Sequence, residues 1–565
     1  MHLSTQWFLA SLGWAVALAS LSGLPLPVRA QITPDETLGN ERSQVEQGAE
    51  VREGRGDRIV GGAARGSHLF HSFREFNVNA GERVYFANPA GIERIVGRVT
   101  GTDISDIFGT LGVEGTADLF LLNPNGFVFG ADAQLDLRGS FVVSTGDRFS
   151  FPDGSDFSAT NPQAPPLLTV SVPIGLQRGH GNIDLAADLS VPTGQHLTLH
   201  GNRVDLTGSL TAPAGRVEVW GDRINLLDHS TITTSSPTSG GTILIGGSGS
   251  PLVPTSRLTP SSFILPPSSF TTISPTANLH ADAIDTGNGG TVIIWAEDTT
   301  EFAGMVSARG GAIAGNGGFV EVSGRDHLIF QGTVDTRAPN GMTGTLLLDP
   351  TNIRVVAAGA ETADLNQVNA FGTPDLGGDN ETRLDVAAIN SATSNVILQA
   401  SQNIIFDAAV SIPVEGIGLT AQAGDTIAVN NVLQTNGGTI QLLANDPASG
   451  APSGTGAVII NANTFSNGGN IFLSGNDIAV NNGARVRTNS PAQDSGDLVA
   501  IADNQVLLQG GAELSVSSFG AGAVGNLLVV GDAGGGGGEP TPLAMTVLCL
   551  PRVEVGATGG VGGLR

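Results

Sequence analysis

The sequence predicts an all-β protein wound as a parallel β-helix, a solenoid of stacked coils. Three observations lead to this class. Glycine is abundant, at 80 of 565 residues, yet hydrophobic residues still make up 40% of the chain and charged residues only 14%. Such a composition can bury a core, unlike that of a disordered chain. Short aliphatic strands recur at regular spacing, and no segment after residue 31 shows the 3.6-residue period of a long helix.

A glycine opens each recurring strand. The first series is Gly215, Gly241, Gly290, Gly318 and Gly344, and the second is Gly438, Gly469, Gly496 and Gly525. The intervals indicate a unit of about 28 residues. The one long interval, from Gly241 to Gly290, contains a Pro/Ser-rich stretch at 249–275, which we interpret as a loop inserted into a double period. Each unit also holds a second strand, as at 223–228, 327–332, 403–408 and 505–510.

A coil of this length cannot bury its aliphatic side chains alone. Stacking coils at about 4.8 Å aligns the inward Ile, Val and Leu residues into continuous columns. About 17 coils are expected, forming a rod of about 80 Å. An exposed first coil would pair with other chains, so a capping segment is expected at the N-terminal end. A β-propeller or sandwich fits less well, because their units are longer or not uniformly repeated.

The charged residues exclude several functions. The chain has no lysine, so all 26 basic residues are arginine, against 52 acidic residues and a net charge of -26. This excludes a P-loop and Schiff-base catalysis, and it disfavours nucleic acid as a partner. Cys549 is the single cysteine, so neither an intrachain disulfide nor a cysteine zinc site is expected.

The N-terminus has the pattern of a secretory signal peptide over residues 1–30. An apolar run at 7–21 precedes two prolines and a small-x-small sequence ending at Ala30, which predicts cleavage between Ala30 and Gln31. No later segment is long and apolar enough to predict a stable membrane span. The mature chain is therefore expected outside the cytoplasm.

Two segments carry a family resemblance, HLFHSFREFNVNAGERVYFANPAGIERIVGRVTG at 68–101 and SDIFGTLGVEGTADLFLLNPNGFVFGADAQLDLRGSFVVSTGDRF at 105–149. They resemble the filamentous-haemagglutinin N-terminal secretion domain of two-partner secretion exoproteins, in its cyanobacterial form. The likeness continues at 194–221 and, less specifically, at 344–353.

The family is known for two Asn-Pro motifs. The second is intact as Asn123, Pro124, Asn125 and Gly126, an order that suits a type I β-turn whose first Asn side chain caps backbone N–H groups. The first motif is shortened to Asn88-Pro89-Ala90. These residues are the candidate site. They mark structural turns, and whether they also contact a transporter stays open at this point.

The resemblance implies a right-handed parallel β-helix with an N-terminal β-cap. It also implies export through the periplasm of a Gram-negative bacterium, recognition by an outer-membrane POTRA-barrel transporter, and a non-catalytic adhesin at the cell surface or released from it. A glycan or another cell-surface molecule would be the ligand. We divide the chain into the signal peptide, a secretion domain at 31–300, further coils at 301–530 and a Gly-rich flexible tail at 531–565.

Two other functions stay open, a secreted carbohydrate-active β-helix enzyme and the truncated stem of a contact-dependent toxin. Gly179-His180-Gly181 is similar to a polygalacturonase motif, but the accompanying Asp cluster and lysine are missing. His196 and His200 lie on one strand face about 13 Å apart, too far to share a metal ion. His68 and His71 are expected on opposite faces. We therefore predict no catalytic, cofactor or metal site.

The tripeptide Arg55-Gly56-Asp57 would be an integrin ligand only if a loop displayed it. Three residues carry little information, and we give this motif little weight.

Overall fold

The computed structural model describes residues 31–52, 54–151, 155–163, 175–176, 179–249, 265–357, 359, 381–490, 494–518 and 522–531. The predicted signal peptide at 1–30, most of the Pro/Ser-rich stretch, Cys549 and nearly all of the predicted tail lie outside these residues. Within them the protein is almost entirely β-structure. Its helical segments are the α-helix Val386–Asn390 and the 3-10 turns Gly39–Glu41 and Pro447–Ser449. No helix in the described part is long and apolar enough to cross a bilayer.

The main sheet, which we call ladder 1, stacks sixteen parallel strands in register, as a β-helix requires. With about 4.8 Å between strands, the ladder is about 70 Å long. In stacking order its strands are His68–Phe76, Arg94–Val99, Asp118–Leu122, Phe141–Ser144, His196–His200, Arg216–Trp220, Thr242–Ile245, Thr291–Ala296, Phe319–Gly324, Thr345–Leu348, Asn395–Ala400, Leu419–Ala423, Ile440–Leu443, Ile471–Val480, Leu498–Leu508 and Leu527–Val530.

Ladder 2 follows ladder 1 in each coil. Its first run is Ser105–Ile107, Gly126–Phe129, Asn182–Leu185, Arg203–Leu206, Arg223–Leu226, Phe270–Ile273, Thr299–Phe302 and His327–Phe330. Its second run is Asn352–Val356, Ile404–Phe406, Ile427–Val429 and Ala457–Ile460, and it continues into the far halves of Ile471–Val480 and Leu498–Leu508. Glu381–Asp385 pairs with Asn352–Val356 on the side facing the first run.

Ladder 3 completes the coil in three runs of parallel strands. The first is Gly54–Gly61, Arg83–Phe86, Thr110–Val113 and Gln134–Asp136. The second is Asp188–Ser190, Ser209–Thr211, Thr231–Thr233, Asn278–His280, Met305–Ser307 and Thr333–Asp335. The third is Val410–Glu415, Leu433–Asn436, Thr464–Phe465, Arg485–Arg487 and Glu513–Ser515.

Antiparallel strands cap the N-terminal end, as predicted. Ile32–Pro34 and Ala63–Arg65 both pair antiparallel with the first strand of ladder 1, and Ser43–Val51 pairs antiparallel with Gly54–Gly61. A further antiparallel sheet, which we call the side sheet, leaves the solenoid after Phe141–Ser144. It consists of Arg148–Ser150, Asp156–Ser158 and Gly175–Leu176. The cap closes the edge that an open first coil would expose.

Inward side chains of the three ladders form one continuous hydrophobic core, which runs from Ile59 near the cap to Val516 near the far end. A second cluster lies outside ladder 1, where Phe149 and Phe157 of the side sheet are buried in the same cluster as Phe70 and Phe120. The predicted parallel β-helix is therefore confirmed. Its predicted right-handed winding is the sense that crossovers between parallel strands take in nearly all proteins.

The coil length is less uniform than the predicted unit of about 28 residues. His196 pairs with Arg216, 20 residues on, whereas Ile440 pairs with Ile471, 31 residues on. The predicted double period is wrong, because Thr242 pairs directly with Thr291 and the whole interval is therefore a single coil with an insertion. An insertion can leave at a corner without adding a strand, provided that its ends return to adjacent positions.

Candidate functional site

The intact Asn-Pro motif forms the corner between ladder 1 and ladder 2. The N–H of Gly126 donates to the carbonyl of Asn123 at 3.1 Å, the bond of a β-turn. Asn125 has an ordinary negative φ, which excludes a type II turn and fits type I. Gly126 has φ +124°, and a β-carbon there would come within 2.6 Å of the carbonyl oxygen of Asn182 in the next coil. The corner therefore needs glycine at this position.

The side chain of Asn123 is buried and joins neighbouring coils. Its Nδ2 donates to the carbonyl of Asp103 and to Ser105 Oγ, both at 3.0 Å, while its Oδ1 accepts from the N–H of Asn125 at 3.0 Å. Its own N–H donates to the carbonyl of Ser144 in the following coil. These bonds connect Asn123 to the coil before it and to the coil after it. They also give each polar group of this buried side chain the partner that it needs.

The shortened motif forms a different corner, between ladder 3 and ladder 1. Asn88 Nδ2 donates to the carbonyl of Ile92 at 2.9 Å, and Asn88 Oδ1 accepts from the N–H of Ala117 in the following coil at 3.1 Å. The N–H of Ile92 donates to the carbonyl of Pro89. The two motifs therefore do not stack on each other. They fix two separate corners of the first coils.

A buried arginine links the cap, the first coils and the side sheet. Arg98 Nε donates to Ser72 Oγ at 3.0 Å, and its terminal nitrogens donate to Thr37 Oγ1 and to the carbonyl of Ser158, both at 2.8 Å. Its guanidinium carbon lies 4.2 Å from the ring centroid of Phe157. Burial lowers the pKa of Arg98 to about 10, so the group stays charged at neutral pH.

Asp35 neutralises this charge through two hydroxyl groups. Ser72 and Thr37 each accept from Arg98 and donate to the Asp35 carboxylate at 2.7 Å, and Thr100 donates to it at 2.6 Å. Burial alone would raise the pKa of Asp35, but these hydrogen bonds outweigh burial and the pKa is lowered. We call Asp35, Thr37, Ser72, Arg98 and Thr100 the cap network.

Sequence reasoning did not find the cap network. Its members are spread from residue 35 to residue 100, and its outer partners lie in the side sheet near residue 160. No spacing rule connects such distant residues. The one signal in the sequence is Arg98 itself, which lies within the largely apolar strand RIVGRV at Arg94–Val99. A charge buried in such a strand needs partners.

The histidine pairs of the sequence lie apart in the structure. His68 contacts the rings of Phe70 and Phe151 outside ladder 1, whereas His71 lies inside against Phe86. His200 Nδ1 lies within hydrogen-bond distance of Ser144 Oγ, at 2.8 Å. Among the described residues, no group of three or more His, Cys, Asp or Glu side chains is arranged to hold a metal.

The Gly179-His180-Gly181 sequence forms a coil corner. A β-carbon at Gly181 would come within 2.5 Å of the backbone nitrogen of Gly126, so this corner stacks directly on the Asn123 turn. His180 is exposed. The close stacking of this corner on its neighbours explains why Gly179 and Gly181 are glycines.

The Arg55-Gly56-Asp57 sequence lies in the strand Gly54–Gly61 and not on a loop. That strand is paired on both sides, with Ser43–Val51 and with Arg83–Phe86. Asp57 Oδ1 also accepts from the N–H of Gly48 at 3.1 Å. This geometry does not provide the loop display that an integrin ligand requires.

A Ser, His and Asp do meet on the outer face of ladder 3. Ser307 Oγ lies 2.8 Å from His280 Nδ1 and 2.9 Å from Asp282 Oδ2, and Asp282 also pairs with Arg309. In a hydrolase triad the imidazole lies between the hydroxyl and the carboxylate. Here the hydroxyl is in the middle, so the carboxylate cannot orient the imidazole as a base.

The first coils match a known family. Residues 30–243 match the TPS secretion domain. The chain therefore carries a two-partner secretion domain, the N-terminal domain of two-partner secretion exoproteins, as its sequence resemblance predicts. The match includes the cap, both Asn-Pro corners, the side sheet and the cap network.

Among solved structures, the crystal structure of the HMW1 secretion domain from Haemophilus influenzae is similar, with 12% sequence identity and a TM-score of 0.35. The similarity covers 84% of this chain and 100% of that one. The comparison with curated proteins gives no match. The secretion domain is identified by the match over residues 30–243.

Proposed function

We propose that the protein is a non-catalytic exoprotein that an outer-membrane POTRA-barrel transporter recognises and exports, and that it acts at the cell surface, or after release, as an adhesin of a Gram-negative bacterium. The observation that carries this proposal is the family match over 30–243, which coincides with a capped solenoid end. The signal peptide and its cleavage between Ala30 and Gln31 remain part of the proposal.

The fold supports export of an unfolded chain. Each coil depends on its neighbours for burial, so coils can add one at a time as the chain emerges. The cap and its network need only residues 31 to about 163, so the N-terminal end can close before the later coils are out. A closed end gives the following coils a template and opposes backward movement.

We assign the Asn-Pro corners a structural role in this process. The polar atoms of the Asn123 side chain bond within the protein, and Asn88 Oδ1 bonds the next coil. Pro89 of the shortened motif is exposed, so the structural role rests on the two asparagines and not on this proline.

The domain division at residue 300 stays a prediction, since the three ladders continue across that position.

The adhesin function is supported by the architecture. A long rod with rigid polar corners presents an extended surface, and the arrangement of Ser307, His280 and Asp282 is unsuited to nucleophilic hydrolysis. A glycan or another cell-surface molecule would be the ligand.

Deletion of the transporter gene in the source bacterium tests the export proposal. We expect the protein to disappear from the medium and the outer surface and to accumulate, or be degraded, in the periplasm. A chain lacking residues 31–243 but keeping the signal peptide should stay in the periplasm even when the transporter is present. Undiminished export in either strain would refute the proposal. A separately secreted protein, measured in the same strains, controls for general envelope damage.

A further inference from the structure

We propose that a groove beside ladder 1 binds an extended, uncharged polysaccharide. This inference rests on the adhesin function proposed above and gives it a site and a ligand class. The groove has a volume of about 780 Å³, within the range of ligand sites in proteins. Its floor includes His196, Arg216, Thr242 and Thr291, which are successive register partners on ladder 1.

The groove forms because neighbouring coils turn differently from ladder 3 into ladder 1. Two coils use the short connections 191–195 and 212–215. The next four coils use longer connections, which we call the corner loops and which span 234–241, 281–290, 308–318 and 336–344. Residues of the first three corner loops, which we call the wall, line the groove together with residues of both short connections. A ligand lying along the solenoid axis would contact several coils at once.

The wall is fixed before any ligand arrives. Asn288 Oδ1 accepts from the N–H of Asn316 at 2.8 Å, and Asn316 Oδ1 accepts from the N–H of Met342 at 2.9 Å. Ser236 and Ala283 also pair as parallel backbone neighbours. A preformed wall lowers the ordering cost of binding.

The groove offers hydrogen bonds from uncharged groups. Thr238, Ser239, Thr242 and Thr291 carry hydroxyl groups, and Asn288 carries an amide. Glycine peptide groups line much of the remaining surface. The floor residues repeat at the strand spacing of about 4.8 Å. A polymer with hydroxyl groups along its length matches this regular array of donors and acceptors.

The charges in the groove disfavour ionic ligands. Of the described residues that line it, none has a carboxylate, so a cationic polymer would find no partner. Arg216 bonds Glu218 at 2.9 Å, and both are buried, which makes the pair neutral overall. The pKa of His196 is lowered, mainly by burial and secondly by the charge of Arg216. A polyanion would in addition be repelled by a chain with a net charge of -26.

The test uses the purified full-length secreted protein on an array of neutral oligosaccharides, including glucans, mannans and galactans, beside sulfated and uronate-containing ones and extended peptides. Thr242→Trp fills the floor, and Thr238→Trp narrows the groove from an exposed position on the wall. Thr333→Trp is the matched control, because Thr333 is exposed on ladder 3 away from the groove. Thermal unfolding of each variant confirms that it folds.

We expect the wild type to bind at least one neutral oligosaccharide, both groove variants to bind it about tenfold more weakly or worse, and Thr333→Trp to bind normally. Undiminished binding by both folded groove variants would overturn the proposed site while leaving an adhesin function. Cell attachment with binding only to charged glycans or to peptides would overturn the ligand class in the same way. Absence of both cell attachment and array binding would refute the adhesin function itself.

Discussion

Gly318 lies directly over Gly290, so close that a β-carbon at position 318 would overlap the Gly290 carbonyl oxygen. That oxygen accepts the N–H of Phe319 at 2.9 Å, which starts the ladder 1 pairing of these two coils. The same approach recurs between Gly344 and Gly318. The regular glycine spacing in the sequence therefore reflects one corner of the coil, at which the glycines of successive coils stack on one another.

We predict that Gly318→Ala lowers the free energy of unfolding by about 3 kcal/mol, because the backbone of two coils must separate to admit the methyl group. Gly437→Ala is the comparison. Gly437 has open space around its α-carbon and φ +75°, so alanine there costs about 1 kcal/mol in backbone conformation alone. Urea unfolding measures both. Equal losses for the two variants would contradict the stacked-corner explanation.

The cap network should be a major source of stability at the N-terminal end. Arg98→Met removes the hydrogen bonds to Ser72, Thr37 and Ser158, and their buried acceptor oxygens lose this donor. We expect the free energy of unfolding to fall by about 3 kcal/mol. Arg74→Met is the control, since Arg74 is 66% exposed and 3.9 Å from Glu75, and should cost under about 0.5 kcal/mol. Differential scanning calorimetry distinguishes these outcomes. A harmless Arg98→Met would show that the network is dispensable.

Stability should fall in mild acid because of His71. Burial lowers the pKa of His71 to about 3, whereas the unfolded chain takes up this proton near pH 6.5. The unfolded state therefore binds more protons between these values, and stability falls by up to about 1.4 kcal/mol for each pH unit below about 6.5. Above that pH the residue contributes no pH dependence.

The His71→Leu variant cannot titrate at this position. Its unfolding free energy, measured by urea titration from pH 7.5 to 4.5, should fall less steeply than that of the wild type below pH 6.5 and in parallel with it above. Asp35 does not affect this comparison between pH 7.5 and 4.5. Because its pKa is lowered in the folded protein, the stability that it contributes is lost only as the pH falls below about 4. Identical slopes for wild type and variant throughout would contradict the assignment to His71.

The structural role of the Asn-Pro corner predicts that Asn123→Ala destabilises the purified protein by about 2 kcal/mol, since Asp103 and Ser105 lose their buried partner. Export should fall only to the extent that folding is impaired. Pro124→Ala, in a half-buried position, should have a smaller effect on both. If Asn123→Ala abolished export while the purified protein kept its full stability, the corner would act through contact with the transporter instead.

Much of the solenoid could be predicted because its cause is local and repeated. Alternating Val, Ile and Leu after each glycine indicated both the ladder 1 strands and their inward faces, and the Asn123 turn followed from turn chemistry. The insertions could not be placed in this way. Nothing in the Pro/Ser-rich stretch signals that Thr242 and Thr291 are neighbours.

The cap network and the groove depend on contacts between distant coils. Arg98 is bonded by three segments that are far apart in the sequence, at Thr37, Ser72 and Ser158. The groove arises from a difference in corner length, which shows in the sequence only as the doublets Gly240-Gly241, Gly289-Gly290 and Gly317-Gly318. Their glycines pack against the backbone of neighbouring coils, but the doublets alone do not show that long and short corners line one groove.

Cross-linking of register partners tests the stacked coils most directly. In a chain carrying Cys549→Ser, Asn225→Cys with Thr272→Cys places two thiols on adjacent strands of ladder 2, although 47 residues separate them in the sequence. Asp205→Cys with Thr272→Cys places them two strands apart, at about 9.6 Å, beyond disulfide reach. Non-reducing mass spectrometry after mild oxidation should find the bond in the first variant only. No bond in the first variant, or equal bonding in both, would contradict a parallel β-helix in this register.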